Sequence, residues 1–342
     1  SSVQLMNQIL FEFARKFTKL LKYLQSYPMI LCEGESYYPL FGDSYIFKKV
    51  NERCAGYVTE SRFTFDDKIY PRLSVVNSKG DILALTRDSG LKIFKRSGES
   101  RTLCKVPNEE HTVFSCFQAL DIDGEDSIYL ITKSLKSELN PISSYLSSEA
   151  FWRVKLFIFD ENGDKKFEHS LPFLQRSFKS TVCLTINKDG KIAILESERE
   201  TLSIGKICLE QNLFKVENHL SNIKFSSNAR IKFADFNSTK VIAADWDNLY
   251  ILTENGNLER KITLLGTISS VAINHVMKRI LVKVNKSSTS HCTDLLSYSE
   301  TGELMDSFNL GSNEWVRNAY PISHPNVPVA LIGKTGAILL DL

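Results

Sequence analysis

Short β-rich runs, separated by turns of Gly, Asn, Asp and Ser, repeat along the chain from about residue 44 onward, with no long helical pattern among them. The stretch 73–106, LSVVNSKGDILALTRDSGLKIFKRSGESRTLCKV, parses into four strands: LSVV, DILAL, LKIFKR and RTLCKV. Three turns join them: NSKG, TRDSG and SGES. Leu91 and Ile93 alternate with polar neighbours, the period of a strand rather than of a helix. The same four-part pattern recurs over 119–171, 182–216, 231–265 and 270–310. Second strands begin near Ile82, Ile128, Ile192, Val241, Ile280 and Val329, at separations of 46, 64, 49, 39 and 49 residues. One four-stranded sheet per roughly 40–50 residues is the period of a propeller blade. Such a sheet cannot bury both faces alone, so neighbours must stack and close a ring. The expected fold is therefore all-β, a six-bladed β-propeller of four-stranded blades.

The C-terminal run ALIGKTGAILLDL looks at first like a phosphate-binding loop at Gly333-Lys334-Thr335. That loop also needs a glycine at position 328, where the chain has Pro328, and a helix after it, where AILLDL is strand-like. GKTG is expected to be the hairpin turn between second and third strands of the last blade, with its glycines supplying backbone freedom. The last blade then lacks a fourth strand. An open ring would leave an unpaired edge. The stretch SYIFKKV (44–50) or RFTFD (62–66) is expected to fill it, so that both chain ends close the ring.

Before the repeats lies SSVQLMNQILFEFARKFTKLLKYLQSYP. Met6, Leu10, Phe13, Phe17, Leu20 and Leu24 fall on one helical face, and Pro28 ends the pattern. A short amphipathic helix is expected here. It packs on the following domain, continues an upstream helix, or binds a membrane or partner. The expected division is 1–43 for the helix and linker and 44–342 for the propeller.

The 342 residues carry 42 basic and 40 acidic side chains, a net charge of +2, so no global field draws the chain to nucleic acid or membrane. No run approaches the roughly 18 apolar residues of a membrane span. The seven cysteines are scattered with no CxxC pair, which suits free thiols in a reducing compartment. No signal peptide is visible, and a cytoplasmic location is expected.

The runs SKGDILALTRDSGLKIFKRSGE, DSIYLIT…VKLFIFDENGD and KDGKIAILESE resemble NHL-type repeats, whose pattern is a glycine turn, a strand like NIYVAD, a loop and then RIQVFD-x-G. The resemblance covers about 270 residues, and the Asn-His-Arg signature of that family is in none of the six loops. WD-type repeats fit less well, since no closing Trp-Asp recurs at blade spacing. NHL propellers often end tripartite-motif ubiquitin ligases, where they bind RNA or protein; others are lyases or scaffolds. The zinc-holding RING and B-box of such ligases need closely spaced Cys and His, which this sequence lacks. The resemblance thus implies at most the recognition part of a larger protein.

In an up-and-down blade, the loops between second and third strands open on the same face as the links between blades, and loops on a rigid scaffold carry function. These segments hold Arg87, Asp88, Trp246, Asp247, Lys286 and Lys334, together with an insert from about Lys133 to Arg153. The insert ends in Phe151, Trp152 and Arg153, and the last link adds Trp315 and Arg317. All three tryptophans therefore fall on one expected face. The candidate partner-binding residues are Arg87, Phe151, Trp152, Arg153, Trp246, Trp315, Arg317 and Lys334. Trp and Arg anchor protein interfaces, and they also stack on single-stranded RNA. The same tryptophans could equally seal the joints between blades. The Ser-rich insert is either functional or disordered; Ser143, Ser144, Ser147 and Ser148 are possible phosphate acceptors.

Catalytic signals are weak. The six histidines show no HxH or HExxH spacing, and no GxSxG is present. DIDGED, with Asp121 and Asp123, resembles the start of a calcium loop, but Leu130 and Thr132 stand near the place of the required glutamate. A turn is expected there. No catalytic residue, resident metal or cofactor is assigned. The leading expectation is a non-catalytic protein-interaction module, monomeric unless its N-terminal helix oligomerises. Single-stranded RNA binding by the loop face is the alternative, and a hydrolase or lyase with a metal in the channel is third.

Overall fold

The computed structural model describes residues 62–88, 90–95, 97–106, 112–136, 152–171, 181–197, 200–208, 210–211, 213–221, 225, 229–285, 293–311, 318–326, 329–334 and 336–340. The expected N-terminal helix, the strand candidate at 44–50 and most of the Ser-rich insert lie outside these residues. No helix among them is long and apolar enough to cross a membrane.

The 24 described strands form six four-stranded antiparallel sheets. Blade 1 is β2 (Ile69–Val76), β3 (Ile82–Thr86), β4 (Gly90–Phe94) and β5 (Ser100–Lys105). Blade 2 is β6 (Thr112–Ile122), β7 (Ile128–Lys136), β8 (Trp152–Phe159) and β9 (Lys165–Ser170). Blade 3 is β10 (Val182–Ile186), β11 (Lys191–Glu196), β12 (Thr201–Cys208) and β13 (Leu213–Ser221). Blade 4 is β14 (Arg230–Asp235), β15 (Thr239–Asp245), β16 (Asn248–Thr253) and β17 (Leu258–Thr263). Blade 5 is β18 (Thr267–Asn274), β19 (Arg279–Asn285), β20 (Thr293–Tyr298) and β21 (Leu304–Gly311). Blade 6 takes β22 (Tyr320–Ile322), β23 (Val329–Ile332) and β24 (Gly336–Leu340) from the C-terminal end and β1 (Arg62–Thr64) from the other. β1 pairs antiparallel with β24, Phe63 opposite Ala337, so the RFTFD stretch provides the closing strand. The first strands touch in ring order from blade 1 to blade 6 and back to blade 1.

The core lies between blades, and strand alternation puts it there. In β11, Ile192 and Ile194 face blade 2, where they meet Ile131, Val154 and Leu156. Ala193 and Leu195 of the same strand face blade 4, where they meet Val241, Ala243 and Leu252. A strand covered on both faces reads as a continuous apolar run, whereas one with a single covered face alternates. Accordingly every residue of β11 is buried. The outermost strand β17, LERKIT, exposes most of its residues, and its charges keep that edge from pairing with another chain. Each fully buried Ile or Leu contributes roughly 1.5–3 kcal/mol.

One turn geometry serves the ring repeatedly. At Asn77, Lys95, Asp160, Asn187, Thr253 and Ser299 the chain reverses over five residues, and the fourth is glycine at φ between +74° and +92°. Each of these glycines donates its N–H to the carbonyl of the first residue at 2.8–3.1 Å. Glycine occupies this left-handed region without the penalty a Cβ would bring. Except at Lys95, the first side chain caps the turn as well. Asn77 Oδ1, for example, accepts from the amides of Lys79 and Asp81 at 3.1 and 2.8 Å. The β6–β7 turn of blade 2 departs from it: Asp126 takes the glycine position with φ +64°.

The hairpin expected at GKTG is present. Gly333 N–H donates to Gly336 O at 2.8 Å between β23 and β24. Two sequence expectations need correction. Trp152 and Arg153 are not loop residues: they open β8, opposite Leu135 and Ser134 of β7, so the insert is shorter than 133–153. Asp121 is not part of a turn: it lies in β6 opposite Tyr129, and the turn begins at Asp123. The ladder extends because Lys133, Ser134 and Leu135 find antiparallel partners in Val154, Arg153 and Trp152.

Candidate functional site

Strand order gives the ring two unlike faces. The loop face carries the β3–β4, β7–β8, β15–β16 and β23–β24 connections and the links between blades. On it Trp246 and Leu265 are the prominent features, 48% and 97% exposed. Trp246 occupies the β15–β16 turn, and Leu265 sits in the link to blade 5. Backbone bonds fasten the two segments together: Ile268 N–H donates to Trp246 O at 2.5 Å, and Leu264 N–H donates to Asp247 O at 2.7 Å. Gly266, at φ +140°, lets the link lie close against β19, since a Cβ there would stand 2.7 Å from Val284 Cγ1 and 2.9 Å from Asn285 O. Apolar side chains are thus held out by a firm backbone, with Asp245 and Asp247 beside them. Burial and these two carboxylates raise the pKa of Tyr250 underneath.

The other expected site residues spread around the same face. Arg87 is exposed in the β3–β4 turn, its N–H on Lys68 O at 3.2 Å. Lys334, also exposed, accepts the N–H of Ile69 on its carbonyl at 3.3 Å, so the Arg87 and Lys334 segments flank consecutive residues. Asp88 lies beside Arg87, where the Thr86 hydroxyl and the Gly90 N–H hold its pKa below the ordinary value. Arg153 is exposed on β8. Blade 3 stands between Trp152 and Trp246 in the ring, so these two do not share a blade joint. Phe151, Lys286, Trp315 and Arg317 lie outside the described residues, as does the Trp152 side chain. The face has mixed charge and no continuous basic track among the described residues. Deeper in the channel from this side, Arg72 reaches Cys183 Sγ at 3.9 Å. Arg230 donates to Ala229 O at 2.8 Å. Burial, and then the charge of Arg72, lower the Arg230 pKa.

The opposite, turn face opens into a cavity of about 440 Å³ at the mouth of the channel. Sequence reasoning passed over it. Its walls are the ends of the first strands and the turns that follow. Lys232 of β14 pairs with Asp121 of β6 at 3.1 Å, across blade 3. Asp121 Oδ2 also accepts Ile186 N–H at 3.3 Å. At the matching position of blade 3, Thr185 Oγ1 accepts Phe233 N–H from blade 4 at 3.1 Å. The Asp126 carboxylate crosses to blade 1, taking Ser78 N–H at 2.8 Å and Ser78 Oγ–H at 2.6 Å. Asp123 caps its own turn and accepts the Tyr129 hydroxyl at 3.1 Å. His275 lines the cavity from its rim, where much of its surface is exposed, although the protein packed on its other side still desolvates the ring. Burial lowers its pKa; the charge of Lys232 adds to this, while Asp235 and Asp121 oppose it.

A signal for this site was present in the repeats. Asp121, Thr185 and Lys232 occupy the position just before the last core residue of their first strands, where blades 1 and 5 have Val75 and Ala272. Polar residues at an otherwise apolar repeat position mark the channel. As a catalytic constellation the cavity is poorly provided: Asp123, Asp126 and one oxygen of Asp121 are engaged by protein donors. No group of three His, Cys, Asp or Glu among the described residues is disposed to hold a metal. Cys104 is a free thiol whose pKa burial pushes to about 11, far from a reactive thiolate.

No family model matches the sequence, and no curated protein matches it. Solved structures do. A chain of a mitotic checkpoint complex aligns over 91% of this chain and 97% of its own, at 11% identity and TM-score 0.52. A streptogramin B lyase aligns over 84% and 98%, at 10% identity and TM-score 0.51. The WD40 β-propeller domain of Doa1 aligns over 84% and 97%, at 10% identity and TM-score 0.47. At such identities the likeness is one of fold.

Proposed function

We propose that the chain is a non-catalytic protein-interaction module that docks a partner on its loop face. The carrying observation is the exposed Trp246–Leu265 pair on a backbone fixed by two inter-segment hydrogen bonds. Interface hot spots take this form, a large apolar anchor presented without ordering cost and ringed by polar groups. Arg87, Arg153 and Lys334 supply cationic contacts farther around the rim, and Phe151, Trp152, Trp315 and Arg317 belong to the same proposed surface. The repeats' resemblance to the NHL type agrees with a recognition role in a larger protein, in a reducing, cytoplasmic setting. Single-stranded RNA is less well supported, because Asp88, Asp245 and Asp247 interrupt the basic residues.

The test is quantitative affinity capture by the chain and by a Trp246→Ala/Leu265→Ser double variant. A partner retained by the first and lost from the second, with unchanged thermal unfolding, supports the reading. A parallel titration with a randomised single-stranded RNA pool over a salt series gives the competing outcome. Motif enrichment that weakens with salt would replace protein by RNA.

A further inference from the structure

The cavity on the turn face is separate from the proposed docking surface and has its own chemistry. Four carboxylates, Asp121, Asp123, Asp126 and Asp235, line it against two ammonium groups, Lys188 and Lys232. The excess is negative. Most of the carboxylate oxygens are engaged by protein donors, but two are not. Asp121 is 7% exposed and spends Oδ2 on Lys232 and Ile186, while no described residue donates to Oδ1. Asp235 accepts the Thr239 hydroxyl on Oδ1 at 3.0 Å, and no described residue donates to Oδ2. His275 stands near both, sensing the charges of Asp235, Lys232 and Asp121. The cavity thus offers one open acceptor on a largely buried carboxylate and a second acceptor nearer its rim.

Two open acceptors are too few for a bare metal ion: calcium takes six to eight oxygens and magnesium a near-ideal octahedron. They suit a cation that brings several N–H donors of its own and a planar or tetrahedral head. The volume, about 440 Å³, is in the range of small-molecule sites. We propose that this cavity binds an organic cation, a guanidinium or primary ammonium group, with Asp121 Oδ1 and Asp235 as its acceptors. The cation belongs either to a free small molecule or to an Arg or Lys side chain of a peptide. The chemistry is shared, and the experiment separates the sources.

Calorimetric titration of the chain with agmatine, with a capped peptide holding one central arginine, and with glutarate is the direct test. The expected result is saturable binding of agmatine or of the peptide and none of glutarate. Asp235→Asn should weaken that binding at least tenfold. His275→Lys, which plants a competing ammonium at the mouth, should abolish it. Trp246→Ala should leave it unchanged, which separates this site from the docking surface. Agmatine binding identifies a free cation as a sufficient ligand. Binding of the peptide alone identifies a partner's side chain. Glutarate binding, no saturable binding of either cation, or binding indifferent to both Asp235→Asn and His275→Lys would overturn the proposal.

Discussion

On the turn face, Asp121 of blade 2 grips Lys232 of blade 4 and the amide of Ile186 in blade 3. On the loop face, Trp246 and Leu265 project into solvent from a turn and a link. The first arrangement spends polar side chains on joining blades. The second spends backbone hydrogen bonds on presenting apolar ones. Buried polar contacts between blades support the ring, because removing one partner strands the other away from water. Exposed apolar residues do little for folding and cost little to change. The comparison therefore predicts that substitutions on the two faces sort by what they disturb, stability on one and association on the other.

The largest effect is expected for Asp121→Ala. It leaves Lys232 and the Ile186 amide without their acceptor and should cost about 2–3 kcal/mol in urea unfolding. An effect below about 0.5 kcal/mol would mean that the channel mouth is not a blade joint. Asp126→Ala comes next, at about 2 kcal/mol, since two hydrogen bonds to Ser78 are lost. Asp126→Gly should lose about 1 kcal/mol less, because glycine relieves the left-handed backbone at φ +64°. If the Gly and Ala variants unfold alike, backbone strain at this turn is negligible.

Acid should separate the faces as well. The folded chain holds His275 below its ordinary pKa of 6.5, chiefly by burial. As pH falls below 6.5, the unfolded chain binds a proton that the folded one resists, so stability declines with acid. His275→Gln should flatten the part of the melting-temperature profile between pH 6.5 and the depressed native value. An unchanged slope would show that the imidazole titrates as if in water. The smallest change in stability, within about 0.5 kcal/mol, is expected for Trp246→Ala and Leu265→Ser. A loss above 1 kcal/mol would make them structural and weaken their assignment as a docking pair.

Blade boundaries were legible in the sequence because a strand covered on both faces cannot hide its character. ILAL and IAIL, within the second strands of blades 1 and 3, are apolar runs, and turns rich in glycine recur between the strands of successive blades. Closure through RFTFD followed from the missing strand, although a second stretch competed for that place. The polar residues at an apolar repeat position hinted at the turn-face cavity, but its shape was not legible, since its lining comes from all six blades and meets only when the ring closes. Asp121 and Lys232 are 111 residues apart, and no local spacing rule joins such a pair. The place of Trp246 on the loop face was legible because tryptophan in a turn is conspicuous. Leu265 was missed because a leucine after a strand ordinarily looks like core, as its neighbour Leu264 is.

Hydroxyl-radical footprinting of the chain alone and with its captured protein partner addresses the docking surface most directly. The account predicts strong protection of Trp246 and Leu265 on binding and unchanged labelling of Val276 and Met277, which are exposed on the turn face. Protection of Val276 and Met277 with Trp246 and Leu265 still fully labelled would contradict it, and would move the partner to the other side of the ring.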